Sequence, residues 1–157
     1  MINYKQGDLF KGSSEESYKL HSVNCKGVWG SGIAKTFKEL YPKAFEEYKK
    51  DCKDLDQALL GSCMIYDSNV VALFTSYSYC NAVDPIEEIV EHTEEAFYEL
   101  LAKLYIRGNE ETIIDLPRIN SGLFRVPWEE TEKVLLKVLT QFKEKYKFTP
   151  VVNVWTL

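Results

Sequence analysis

The stretch His21-Ser-Val-Asn-Cys-Lys-Gly-Val-Trp-Gly-Ser-Gly-Ile-Ala34 decides how the rest of the chain is read. Leu20 to Val23 is compact enough to be a buried strand. Gly27, Gly30 and Gly32 then remove side chains where the backbone must turn sharply or admit something close. From Ile33 the spacing becomes helical, which predicts Ile33, Phe37, Leu40 and Tyr41 on one face. A helix that opens directly after glycines offers unpaired N–H groups and a partial positive charge, the features a phosphate requires. Many strand–glycine–helix turns bind nothing, so the stretch needs a partner elsewhere.

Asp115-Leu-Pro-Arg-Ile-Asn-Ser-Gly-Leu-Phe-Arg-Val-Pro-Trp128 supplies one, a second strand–loop–helix turn near the other end of the chain. Two such loops can converge at the carboxyl ends of neighbouring strands, the usual ligand crevice of an open α/β sheet. Together they point to a ligand that carries phosphate.

The chain has 157 residues, the size of one domain, and 45% hydrophobic content that includes 8 Phe, 10 Tyr and 3 Trp to fill a core. No apolar run approaches the roughly 20 residues that a membrane span requires. Met1 to Lys5 lacks the plan of a signal peptide, so a cytoplasmic or nuclear protein is expected. A net charge of −5 argues against a broad nucleic-acid surface but permits one small anion in a pocket. Cys25, Cys52, Cys63 and Cys80 are too scattered for paired zinc ligands and are expected as reduced, mostly buried thiols. With only His21 and His92 as histidines, no His-rich metal site is expected, and neither metal nor cofactor. The expected partner is a small molecule, bound by a monomer with no nucleic-acid groove and no membrane contact.

In order, Ile2 to Gln6 reads as a strand that Gly7 and Asp8 end. Asp8 is either a turn or capping residue or an acceptor for an exocyclic amine such as that of adenine. Tyr18 to Val23 is the second strand. Pro42 opens a short helix with Phe45, Tyr48 and Cys52 inward, followed by a charged connection over residues 51–58. Leu59 to Tyr66 and Val70 to Ser76 read as strands around Asp67-Ser-Asn69. Ser76 to Val83 is either a surface loop or a lip over the pocket. Asp84, Pro85 and Glu87 fit N-cap, N1 and N3 of a helix that should bury Ile86, Ile89, Val90, Thr93, Phe97, Leu100, Leu101 and Leu104 and end at Gly108. His92 falls off that stripe and reads as exposed. Thr112 to Asp115 is a strand, and Pro127 starts a helix carrying Val134, Leu135, Val138, Leu139 and Phe142. Val151 to Trp155 closes the chain as a buried strand. Strands and helices alternate without repeat or linker, the pattern of an α/β sandwich formed by residues 1–157 as a single domain.

The two loops together resemble the macro domain family, whose members bind ADP-ribose. The likeness covers Tyr-Lys-Gln-Gly-Asp-Leu-Phe10, His21 to Ala34, Leu73 to Ser76, Leu116 to Trp128 and the closing Val-Asn-Val-Trp-Thr-Leu157. Within the family it is most similar to the yeast-type ADP-ribose 1″-phosphate phosphatases, which share His-Ser-x-Asn-Cys-x-Gly-x-Trp-Gly-x-Gly-Ile-Ala and Pro-x-Ile-Asn-Ser-Gly-x-Phe-x-Val-Pro-Trp. The resemblance implies an α/β fold of three layers, α/β/α, around a mixed, mostly parallel sheet. It implies that Asp8 holds the adenine amine beside Gly7 and Leu9, and that Ser22, Val23, Asn24, Trp29, Gly30, Ser31, Gly32, Ile33 and Ala34 wrap the distal ribose and pyrophosphate. Ile119, Asn120, Ser121, Gly122, Leu123, Phe124 and Arg125 then clasp the phosphates from the opposite side. It also implies a place in the metabolism of a tRNA-splicing by-product.

The residues agree with that assignment. Gly30, Gly32 and Gly122 allow close backbone approach, and successive N–H groups can form an anion-binding concavity. Asn24, Asn120 and Ser121 offer neutral hydrogen bonds to hydroxyls and phosphate. Trp29 and Phe124 are either apolar walls or core. The related deglycosylases that resemble this chain use a lysine just after the strand ending here at Phe74-Thr75. This chain has Ser76-Tyr77 there, and Phe124 where the protein deglycosylase has an aspartate.

Hydrolysis of a phosphate monoester needs the phosphate held, its charge offset and a water aligned. Loop N–H groups, Lys26 and Arg125 suit the first two needs. The candidate catalytic residues are His21, as a base or acid near pH 7, and Asn24, which could orient a water. The other reading of His21 is a buried strand histidine hydrogen-bonded to backbone. Cys25 lacks the C-x5-R cradle of a cysteine phosphatase. The expected function is hydrolysis of ADP-ribose 1″-phosphate. The alternatives are a reader module that binds ADP-ribose without turnover, a lysine-independent ADP-ribosyl hydrolase, or a domain for another nucleotide.

Overall fold

The computed structural model describes residues 1–109 and 111–157. Strands β1 (Ile2–Gln6), β2 (Tyr18–Asn24), β3 (Cys63–Tyr66), β4 (Val70–Ser76), β5 (Ile113–Leu116) and β6 (Val151–Thr156) form one sheet in the order β1-β6-β5-β2-β4-β3. All neighbours are parallel except β3, which pairs antiparallel with β4. A mostly parallel sheet needs cover on both faces, and its central strands are accordingly almost continuously apolar.

Strand β4 shows how the layers arise. Val71 and Leu73 point into one core with the helices α4 (Ile86–Arg107) and α5 (Trp128–Tyr146), which contribute Phe97, Leu100, Leu135 and Phe142. Val70, Ala72 and Phe74 point into the other, against α2 (Gly32–Leu40) and α3 (Pro42–Leu55) with Phe37, Phe45 and Tyr48. Alternation along one strand thus produces the three-layer α/β/α arrangement. A single turn, α1 (Leu9–Gly12), follows β1.

Several local expectations are corrected. Helix α3 runs through Leu55 and absorbs residues 51–55 of the expected charged connection, because Cys52 continues the buried stripe while the lysines and aspartates fill the outer face. Strand β3 begins only at Cys63, since Gly61 takes φ +82° and Leu59 is buried from a 3₁₀ turn. Leu40 and Ile86 are exposed, not buried, and Val90 is half-buried. Asp84 does not cap α4. Its Oδ2 accepts from Tyr77 N at 2.7 Å, and Pro85 stands at the N-cap instead. Pro127 likewise precedes α5 as its N-cap. His92 is half-buried against Gly61 rather than exposed. No helix of the described residues is long and apolar enough to cross a membrane.

Candidate functional site

Because the strands are parallel, the segments that follow β1, β5, β2 and β4 all leave from the same sheet edge. In spatial order they are Gly7-Asp8, the loop of residues 117–127, the loop of residues 25–31 and the segment of residues 77–85. Every loop singled out from the sequence therefore lies along one rim.

The loop after β2 is shaped from within. Asn24 is 5% exposed. Its Oδ1 accepts from Lys26 N at 2.9 Å and from Tyr48 Oη at 2.9 Å, while its Nδ2 donates to Val28 O at 2.8 Å. This corrects the expectation that the Asn24 amide faces ligand or water; it folds the loop. Trp29 is core rather than wall, 1% exposed and stacked on Tyr48 at 4.7 Å between centroids. Beyond it the backbone surfaces. Gly30, Ser31 and Gly32 are exposed, and Gly32 takes φ +60° with nothing within 4 Å of where a Cβ would stand. Ser31 is the N-cap of α2 but makes no capping bond with its side chain, so the first turn, with the half-buried Ile33 and Ala34, presents N–H groups to solvent.

The loop after β5 hangs from Asn120, which is 3% exposed at φ +65°. Its Oδ1 accepts from Thr75 Oγ1 at 2.8 Å, and its Nδ2 donates to Thr93 Oγ1 at 2.9 Å and Thr131 Oγ1 at 3.3 Å. Its own N–H donates to Ser22 Oγ at 3.0 Å. The expectation that this amide meets ligand is corrected, and the Ser22 hydroxyl is likewise engaged with Asn120. Ile119 and Val23 are core. Arg125 N donates to Gly122 O at 3.0 Å and Val126 N to Asn120 O at 2.9 Å, closing the loop on itself. Among the described residues, the intervening N–H groups of Gly122, Leu123 and Phe124 find no protein acceptor. Leu123 and Arg125 are exposed, Ser121 and Phe124 half-buried, and the space around Gly122 is open.

At the β1 end, Gly7 N donates to Thr156 O at 2.7 Å, and Asp8 Oδ1 accepts from Phe10 N at 2.9 Å. Asp8 is therefore the cap of α1, half-buried, with its other oxygen free of partners among the described residues; Leu9 is core. At the β4 end, Ser76 Oγ donates to Ser78 O at 2.7 Å and accepts from Asp84 N at 3.1 Å. Cys25 N donates to Tyr77 O at 3.1 Å, fastening this segment to the loop after β2. A cavity of about 590 Å³ opens between Lys26, Val28 and residues 78–82. A second, of about 440 Å³, lies on the other side of Lys26 against α3.

Burial governs the titratable groups. His21 is 1% exposed, stacked on Phe37 at 4.0 Å and edge-on to Trp29 at 4.5 Å, and among the described residues neither ring nitrogen has a hydrogen-bond partner. Desolvation lowers its pKa to about 3, so it is neutral across the physiological range. The expectation of a proton carrier titrating near pH 7 is corrected by this enclosure. Burial also pushes the Cys25 thiol up to about 12, which agrees with an inert thiol rather than a nucleophile.

A family model described as "Macro domain" matches residues 20–135. The chain belongs to the macro domain family. Relatives of this macro domain include proteins named ADP-ribose 1″-phosphate phosphatase. The one from Meyerozyma guilliermondii is 35% identical, over 87% of this chain and 93% of its own. That from Saccharomyces cerevisiae is 33% identical over 85% and 90%. Among solved structures, the macrodomain of Mycobacterium tuberculosis DarG is 21% identical with a TM-score of 0.78, covering 100% of this chain and 98% of that one. Thermosipho africanus DarTG, solved in complex with ADP-ribose, gives 0.71 at 17% identity, over 99% of this chain and 42% of that one.

Sequence reasoning missed the supports of the macro domain's rim. Tyr48, Thr75, Thr93 and Thr131 sit at ordinary inward positions of strands and helices, and their spacing reveals burial but not the amide each one meets. Only Thr93 and Thr131 carried a hint, as hydroxyls on otherwise apolar stripes.

Proposed function

We propose that the protein hydrolyses ADP-ribose 1″-phosphate to ADP-ribose and inorganic phosphate, with residues 1–157 acting as one macro domain. The observation that carries this reading is a pair of N–H sets that follow adjacent strands on one rim. One is the N–H run of Gly122, Leu123 and Phe124, and the other is the first turn of α2 at Gly32. Among the described residues both are unpaired, and both are anchored to adjacent parallel strands, an arrangement suited to two phosphates of one diphosphate. The phosphatase names carried by relatives at 33–35% identity over most of the chain support the same substrate.

In this reading the Asp8 carboxylate takes the adenine amine, and the two loops clasp the pyrophosphate. Water attacks phosphorus at the distal end, the bond from phosphorus to O1″ breaks, and a proton released by the attacking water passes to the departing oxygen. Preorganised N–H groups offset the charge that develops. His21 takes no proton in this scheme, being enclosed and neutral. Phosphate release from ADP-ribose 1″-phosphate by the purified protein is the test, with Gly32→Glu as control; turnover no higher than the control's would overturn the enzyme reading.

The enclosure of His21 and the internal use of the Asn24 amide favour a second reading, a reader that binds ADP-ribose without turnover. Calorimetry that shows ADP-ribose binding, together with inert phosphatase and deglycosylase assays, would select it.

A further inference from the structure

The cavity beyond β2 and β4 has one ionised group on its wall, Lys26, among otherwise neutral Val28 and residues 78–82. The Lys26 amine lies 4.0 Å from the centroid of the Tyr77 ring. Among the described residues it makes no ion pair. Tyr77 cannot drift. Its N–H donates to Asp84 Oδ2 at 2.7 Å, its carbonyl accepts from Cys25 N at 3.1 Å, and its hydroxyl donates to Asp56 Oδ1 at 2.9 Å. The ring is thus a fixed platform that holds a flexible cation by its π-face, a geometry that favours the ammonium. Asp56, which accepts from the Tyr77 hydroxyl and attracts Lys26, lines the other cavity, so Lys26 is the one charged residue on the wall with residues 78–82.

The order along the rim says what arrives there. Asp8 follows β1, the 117–127 loop follows β5, the 25–31 loop follows β2 and the Tyr77 segment follows β4. A dinucleotide-like ligand with its base at Asp8 and its diphosphate between the two loops runs its far end toward β4. We infer that Lys26, steadied by Tyr77, forms a subsite for an anionic substituent at the distal end of the ligand, a phosphate-monoester dianion. This inference rests on the proposed orientation of ADP-ribose. Lys26 touches the substituent, and Tyr77 is a positioning residue that acts through Lys26. The free amine carries a selective attraction for a ligand ending in a dianion over one ending in a hydroxyl.

The test is calorimetric, with two probes: ADP-ribose, and its 1″-methylenephosphonate, which is not hydrolysed. Lys26→Met is expected to weaken the phosphonate by about tenfold or more while leaving ADP-ribose within about twofold. Tyr77→Leu should lose part of the same preference, and Tyr77→Phe, which keeps the ring, should restore it. Equal loss for both probes, or loss for neither, overturns the inference. If the wild type binds neither probe, the proposed function itself fails, an outcome separate from wild-type binding that Lys26→Met does not alter selectively. Unchanged melting temperatures for Lys26→Met confirm that the comparison concerns the ligand, since this side chain is exposed.

Discussion

Ser22 and Asn120, 98 positions apart, share one hydrogen bond, from the Asn120 backbone N–H to Ser22 Oγ at 3.0 Å. It joins the last turn-free stretch of β2 to the loop after β5, so the two glycine-containing loops keep a fixed separation. Ser22→Ala would leave a half-enclosed N–H without a partner, at a cost of about 1–3 kcal/mol. The expected result is a lower melting temperature with weakened ADP-ribose binding, whereas Ser22→Thr, which keeps the hydroxyl, should retain both.

The Asn120 side chain ties together three elements, β4 through Thr75, α4 through Thr93 and α5 through Thr131. Asn120→Ala would strip the acceptor from Thr75 and the donor from Thr93 and Thr131. The hydroxyls of Thr75 and Thr131 would then need new partners, while Thr93 keeps its bond to Ile89 O at 2.6 Å, so a loss of about 2–3 kcal/mol is expected in urea denaturation. Thr131→Val, at the long 3.3 Å contact, should cost less than Thr93→Val at 2.9 Å.

His21 predicts the pH dependence of stability. Its folded pKa of about 3 lies below the ordinary 6.5, so the unfolded chain binds a proton that the folded chain refuses. The stability it contributes is complete above pH 6.5 and declines as the pH falls from 6.5 toward 3. Over that window the slope approaches about 1.4 kcal/mol per pH unit for this one group. His21→Phe, which preserves the stack on Phe37, should flatten that limb in thermal melts from pH 7 to 4. It should also leave ADP-ribose affinity unchanged, and a selective loss of binding would contradict the enclosure of the ring.

Thiol chemistry should separate the cysteines. Burial pushes Cys25 and Cys63 up to about 12 and Cys52 up to about 11, while Cys80 is exposed on the cavity wall. Brief treatment of the folded protein with maleimide at neutral pH should modify Cys80 alone, as read by peptide mass mapping, with the other three reacting only after denaturation.

Gly32 tests the backbone rather than a side chain. At φ +60° a Cβ costs about 1–2 kcal/mol of strain, although it would meet no protein atom within 4 Å. Gly32→Ala should therefore lose about 1–2 kcal/mol of stability in urea denaturation. Gly32→Glu should in addition abolish ADP-ribose binding, because its side chain would occupy the open space in front of the α2 N-terminus.

The order of elements was legible in the sequence because each carries its own period. Phe45, Tyr48 and Cys52 mark a helix by spacing alone, and Val70 to Phe74 can only be a strand covered on both faces. The glycines of both loops and the likeness to macro domains were equally local signals. Those properties follow from bonds between near neighbours and from which side chains avoid water. Asn24 and Asn120 mark the limit. Their residue types suggested ligand contacts, yet Tyr48, Thr75, Thr93 and Thr131 consume their amides from distant parts of the chain. The position of the Thr75 hydroxyl relative to the Asn120 amide, 45 residues away, depends on the assembled sheet. The tertiary structure alone therefore decided which polar groups face inward as supports and which N–H groups remain open at the rim.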